Sequence, residues 1–249
     1  MLKEERHNYI LNEVRIHSRV LLTDLTQQLN VSEDTVRRDL KELDEQGMIR
    51  KVHGGAISNG YNLNHYQENK IYAHDSKAKI AKKASGLIKD GQVILMSGGT
   101  TNLELARSLP EQLKATFFTP SLTTALELLN HENSETIFIG GKLSQEAKIA
   151  VGGSVINTLS EIQADICFLG TGFLDPNSGL TEFDWEVVQM KKAMINATKK
   201  VIALTISEKL NSVQKYKVCD VQALDMLITE LDPNHEQLAS YQNSGVNLL

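Results

Sequence analysis

The chain's 249 residues exceed a typical single domain and point to two. A net charge of −5 excludes a nonspecific nucleic-acid coat, so any contact with DNA has to come from local placement of charge. Apolar runs fall short of membrane length, MLKEERHNYI lacks a signal peptide's apolar stretch, and Cys167 and Cys219 lie in apolar strand-like segments among seven scattered histidines. A soluble, cytoplasmic protein with no disulfide, metal or cofactor is therefore expected.

Tyr9, Ile10 and Val14 recur at helical spacing and predict a helix over residues 3–17, with Tyr9 read as core. Arg19-Val20-Leu21-Leu22 reads as a short strand, Thr23 as the cap of a second helix carrying Leu25 and Leu29, and Asn30 as a turn. Ser32 stands as the N-cap of a third helix, because Glu33 and Asp34 put negative charge on its positive end. Val31 and Val36 match a hydrophobic staple, and Val36, Leu40 and Leu43 form one buried stripe. With that stripe turned inward, Asp34, Arg38, Lys41 and Glu45 point outward, Thr35 and Arg37 flank them, and Gly47 ends the helix by tolerating positive φ. Met48 and Ile49 are expected to pack back on the core, while Arg50, Lys51 and His53 lead into the turn Gly54-Gly55 as in a wing.

A helix fits the major groove, and the planar fork of arginine bonds a guanine edge or a phosphate in bidentate fashion. Ser32, Thr35, Arg37, Arg38 and Lys41 are thus candidate DNA contacts on the helix, with Arg50, Lys51 and His53 on the wing. The plainer alternative is that Glu33 with Arg37, and Asp34 with Arg38, are ion pairs on a solvated face. Composition leaves that open, since residues 1–57 hold nine basic against ten acidic side chains. The ordered series S-x-x-T-V-R-R-D-L, E-L-x-x-x-G and K-V-H-G-G-A resembles the winged helix-turn-helix of the DeoR family of bacterial sugar-catabolism regulators. The resemblance implies a double-stranded DNA operator as partner and a homo-oligomer.

Residues 58–75 turn polar and read as a linker between a head at 1–57 and a second domain at 76–249. In that domain helical and strand periods alternate: helix 76–89, strand 93–97, helix 101–109, strand 115–119, helix 121–130 and strand 136–140. Helix 154–162, strand 165–170, helix 184–198, strands 200–206 and 225–230, helix 234–242 and a last short strand follow. The fold class expected is α/β: a winged helix-turn-helix, then a mostly parallel sheet with helices on both faces. Ligands bind beyond the carboxyl ends of such strands.

Three strand ends carry small polar loops: SGGTTN at 97–102, IGGKL at 139–143 and LGTGF at 169–173. Ser97, Gly98, Gly99, Thr100 and Thr101 offer backbone N–H groups, hydroxyls and a helix start to an anion, which favours phosphate. Ser121, opening a helix after ATFFT, is either a second donor or a simple N-cap. V-I-L-x-S-G-G-T-T, T-P-S-L, I-G-G-K-L, F-L-G-T-G-F, G-L-T-E and S-E-K resemble in order the sensor domain of the same family, which is similar in fold to ribose-phosphate isomerase and the CoA-transferases. That resemblance implies a phosphorylated sugar as effector and adds Gly140, Gly141, Gly170 and Gly172 to the candidate site, with Glu182 and Lys209 read either as polar contacts or as surface charges. The chain departs from the family pattern with Ser97 where Asp is usual, with Pro120, and with Ile206, Ser207 and Glu208 before Lys209. A sugar-phosphate isomerase or deaminase is the alternative, but around residues 97–102 the sequence places only hydroxyls and glycines, with no general base.

Overall fold

Ser32 leaves the helical region and accepts the N–H of Thr35 with its hydroxyl, so the third helix starts where the sequence asks. The structure is a computed structural model that describes residues 1–58, 71–145 and 147–249. It divides into two units, Met1–Tyr72 and Ala73–Leu249. The linker expected at 58–75 falls mostly outside the described residues.

In the first unit, α1 (Lys3–His17), β1 (Arg19–Leu21), α2 (Leu22–Leu29) and α3 (Glu33–Glu45) precede β2 (Ile49–Val52) and β3 (Gly55–Ser58). The three strands form an antiparallel sheet in the order β1-β3-β2, so the wing is a hairpin whose returning strand pairs with β1. Ile10, Val14, Leu25, Leu29, Val36, Leu40, Leu43 and Ile49 make one core. Gly47 takes φ +70 beyond α3, as its place predicts. Two expectations fail. Leu21, which has no side-chain oxygen, occupies the N-cap of α2, so Thr23 lies inside the first turn instead of capping it. Met48 is 53% exposed while Ile49 is buried, because Met48 lies in the bend before β2 and only Ile49, the first strand residue, turns to the core.

Asp39 is buried on α3 beside the apolar stripe. The Arg6 guanidinium holds it with two hydrogen bonds, of 2.7 and 3.0 Å, and His7 lies 3.2 Å away. This pair ties α1 to the back of the helix whose front is exposed.

The second unit runs α4 (His74–Ser85), β4 (Val93–Met96), α5 (Thr100–Arg107), β5 (Thr116–Thr119), α6 (Leu122–Leu128) and β6 (Glu135–Phe138). It continues with β7 (Lys142–Leu143), β8 (Ala150–Val151), α7 (Gly153–Ser160), β9 (Ile166–Gly170), β10 (Phe173–Asp175), β11 (Gly179–Glu182) and α8 (Trp185–Asn196). The chain ends with β12 (Val201–Leu204), β13 (Tyr216–Cys219), β14 (Met226–Ile228), α9 (Ala239–Asn243) and β15 (Asn247–Leu248). Seven of the described strands form a sheet in the order β15-β14-β12-β9-β4-β5-β6, parallel throughout. Leu95, Cys167, Leu169, Ala203 and Leu227 carry its core under Val188, Met190 and Met194 of α8. The small antiparallel sheet β10-β11-β13 and the hairpin β7-β8 were not foreseen. Short pairings of this kind have no period long enough to read. Both cysteines are free, Cys167 buried and Cys219 half-buried, and burial pushes the Cys219 thiol up to about 11.

The order of the main sheet places its site. From β4 the chain builds outward through β5 to β6, then returns to β9 on the other flank of β4 and builds through β12 and β14 the opposite way. The strand order reverses between β4 and β9, the place where sheets of this kind take ligands, and Ser97 to Gly99 and Gly170 to Gly172 lie at the carboxyl ends there.

Candidate functional site

On α3 the buried stripe leaves Ser32, Arg37, Arg38 and Lys41 exposed and Thr35 half-exposed; on the wing Arg50, Lys51 and His53 are exposed. All eight sequence-derived contacts are therefore open to a ligand. The ion pairs of the plainer alternative exist as well: Arg37–Glu33 at 3.0 Å, Arg38–Asp34 at 2.8 Å and Lys41–Glu45 at 3.6 Å. Hydrogen bonding to Arg38 holds the Asp34 carboxyl below its usual range. Solvated pairs of this kind are weak and give way to a phosphate or a base edge. They keep the arginines extended along the helix, and the two readings are compatible.

In the second unit Gly99 sits at φ +106, a conformation that favours glycine, and among the described residues nothing lies within 4 Å of the place a Cβ would take. The loop is therefore open at Gly99, at the start of α5, where the first helical N–H groups have no partner within the helix. Thr100 and Thr101 are half-exposed beside it. Ser97 has another task. Its hydroxyl accepts from Asn102 Nδ2 at 3.0 Å and from the Gly170 N–H at 2.8 Å, which clamps the loops after β4 and β9 together. A Cβ on Gly170 would fall 2.6 Å from the Gly98 carbonyl oxygen, so only glycine permits that approach. Ser121 is the N-cap of α6, accepting from the Thr124 N–H, and is buried. Gly140 is exposed, and Gly141 packs beside Ser154 and Val155 at the start of α7.

Glu182 is buried with its carboxylate against Gly172. Lys191 of α8, also buried, forms a short ion pair with it and donates to the Gly170 carbonyl at 2.7 Å. Lys209 donates to the Thr171 carbonyl at 3.0 Å. Two lysines thus hold successive carbonyls of the loop after β9. Burial pushes the Lys209 ammonium down to about 8 against the pull of Glu182. Lys77 of α4 is buried too, and burial, then the charge of Lys209, lowers it to about 7 against the opposing fields of Glu104 and Glu208.

Asn102, Lys191 and Lys77 escaped the sequence reading. Each lysine lies on its helix's buried face, Lys77 with Ile80, Ala81 and Ala84, and Lys191 with Val187, Val188 and Met194. A long cation on an apolar stripe was the signal available. The structure also brings a carboxylate to these loops, where the sequence near residues 97–102 shows none. That carboxylate is committed to Lys191.

The comparisons agree with this division. The DeoR-like helix-turn-helix domain matches residues 6–61, and the DeoR C terminal sensor domain matches residues 72–231. The chain is 30% identical to the HTH-type transcriptional regulator GolR of Listeria innocua, over 99% of this chain and 98% of the relative. It is 33% identical to the HTH-type transcriptional repressor GlcR of Bacillus subtilis, over 100% and 96%, and 28% identical to the glycerol-3-phosphate regulon repressor of Escherichia coli, over 94% and 93%. Among solved structures, ribose 5-phosphate isomerase A of Methanocaldococcus jannaschii aligns at 22% identity and a TM-score of 0.41, over 55% of this chain and 54% of that one. Matched along both units, the chain belongs to the DeoR family of DNA-binding transcriptional regulators.

Proposed function

We propose that the protein is a cytoplasmic repressor of carbohydrate-utilisation genes, which binds its operator as a homo-oligomer and whose DNA affinity is set by a phosphorylated sugar. The observation that carries the DNA-reading half is the open row of Thr35, Arg37, Arg38 and Lys41 on a helix anchored from behind, with Arg50, Lys51 and His53 beside it. Arg37 and Arg38 read bases near the helix start, while Lys41 and the wing cations meet the flanking phosphates. Arg37→Ala and Arg38→Ala are each expected to weaken operator binding about ten- to a hundredfold at fixed salt. Fluorescence anisotropy on a selected duplex and on a scrambled one separates the roles. An equal loss on both duplexes assigns the arginine to phosphate, and no loss in either variant removes α3 as the reader.

For the sensing half, the loop Gly98–Thr101 receives the phosphate, and positive charge comes from Lys209, which holds the Thr171 carbonyl, and from Lys77, within reach of the field of Lys209. The relatives' printed names, a glycerol-3-phosphate regulon repressor among them, support a phosphorylated metabolite. Because burial lowers the Lys77 ammonium to about 7 and the Lys209 ammonium to about 8, a phosphate dianion draws protons onto them as it binds. Affinity for a sugar phosphate therefore falls as pH rises from 7 to 9, by up to about tenfold per unit for each lysine recharged. Trp185, the chain's single tryptophan, follows Glu182 by three residues and provides the signal for the titration. Lys77→Met is expected to weaken binding at pH 7 and to flatten this dependence. A profile equally steep in that variant would exclude Lys77 from the site.

A further inference from the structure

The main sheet ends at β6 on one side and at the two-residue β15 on the other. A very short edge strand protects itself, but β6 is four residues, Glu-Thr-Ile-Phe, without proline, lysine or bulge. The N–H groups of Glu135 and Ile139 donate to the carbonyls of Ala115 and Thr119, each at 2.9 Å. Alternate residues of a strand turn their peptide groups to opposite sides. Thr136 and Phe138 therefore direct their N–H and C=O groups away from β5, along an edge that no other described strand pairs with.

The ground beside that edge is apolar. Phe138 is 39% exposed, and on α6 Leu126 is 54% and Leu129 66% exposed. Glu127 of α6 turns toward α5, where it meets Arg107 at 3.2 Å. At helical spacing Leu126 and Leu129 then lie on the side of α6 away from α5, and α6 packs on β5 and β6 at the end of the sheet. Three large apolar side chains and a row of peptide groups thus share one margin of the sensor unit.

We propose that this margin is the interface through which two copies of the chain associate, β6 against β6. Water satisfies such groups one at a time, whereas another strand satisfies the whole row in register and covers the apolar side chains beside it. An antiparallel partner related by a two-fold axis puts the same surface on both sides, as a closed dimer requires. The register that uses both outward residues sets Thr136 opposite the partner's Phe138 and Ile137 opposite the partner's Ile137, and joins the two sheets into one. The choice of a second copy over another protein rests on the proposed DNA reading, since one short helix contacts too few bases to hold an operator alone and paired heads address two half-sites.

Analytical ultracentrifugation of the full chain tests the interface without DNA or sugar, so failure of the interface is read separately from failure of operator or sugar binding. The wild type is expected to sediment as a dimer or a multiple of it, and Phe138→Lys combined with Leu129→Glu to halve that mass with the far-ultraviolet circular dichroism unchanged. As a probe that places no charge at the edge, Ile137→Cys is expected to cross-link to its own copy on mild oxidation, since opposed residues of a pair lacking direct hydrogen bonds lie within disulfide reach. A monomeric wild type, an unchanged mass in the double variant, or an Ile137→Cys chain that cross-links no more than the wild type with its own two cysteines would each overturn the proposal.

Discussion

Lys191→Met is expected to destabilise the sensor unit by about 3–5 kcal/mol, the loss typical when one member of a buried ion pair is removed. Lys191 and Glu182 are both buried, and without the ammonium the carboxylate is left against Gly172 and close to a loop whose Gly170 carbonyl has also lost its donor. The larger part of the loss comes from that stranded charge. Lys191→Met with Glu182→Leu is therefore expected to recover much of the stability lost in the single variant, while the response to effector stays weakened because the Gly170 carbonyl has lost its donor. Urea unfolding followed by Trp185 fluorescence reads the sensor, since the head contains no tryptophan. A double variant as unstable as Lys191→Met alone would show that the pair is not the source of the loss.

Asp39→Ala is expected to destabilise the head by about 3 kcal/mol, toward the lower end for a buried pair because Arg6 keeps a path to solvent. Two hydrogen bonds from the guanidinium and the contact with His7 are lost together, and with them the tie between α1 and the reading helix. DNA affinity falls in step with the folded fraction of the head, although Asp39 faces away from the DNA. Because Trp185 reports only the sensor, the check is thermal unfolding by circular dichroism alongside operator binding. Asp39→Asn retains one acceptor and should lose less. Wild-type melting in Asp39→Ala would make the pair a bystander.

Much of this was legible in the chain. The Ser32 cap, the Val36-Leu40-Leu43 stripe and Gly47 fix α3 and its outward face, because a capped helix with one apolar stripe has one way to pack. The alternation of apolar strands and amphipathic helices likewise gave the parallel sheet. Charged residues on buried stripes were not legible in the same way: Asp39, Lys77 and Lys191 break the polar-out rule, and their partners are 33 residues away for Asp39 and Arg6 and in other elements for the lysines. Ser97 illustrates the converse. Its place in the loop suggested a ligand contact, but its hydroxyl is taken by Asn102 and Gly170, a contact 73 residues distant that no local pattern encodes.

The coupling of the two units by ligand is the core of the proposed function, and one titration reaches it: anisotropy of a labelled duplex, selected by the full-length protein from a random pool, at fixed salt and protein concentration. A panel of sugar phosphates and their parent sugars is added in turn. The predicted result is a preference of at least about a thousandfold over scrambled DNA, released by one sugar phosphate, unaffected by the parent sugar, and unresponsive in Lys77→Met at the same ligand concentration. Binding to scrambled DNA as tight as to the selected duplex, or release by the parent sugar as effective as by its phosphate, would contradict it.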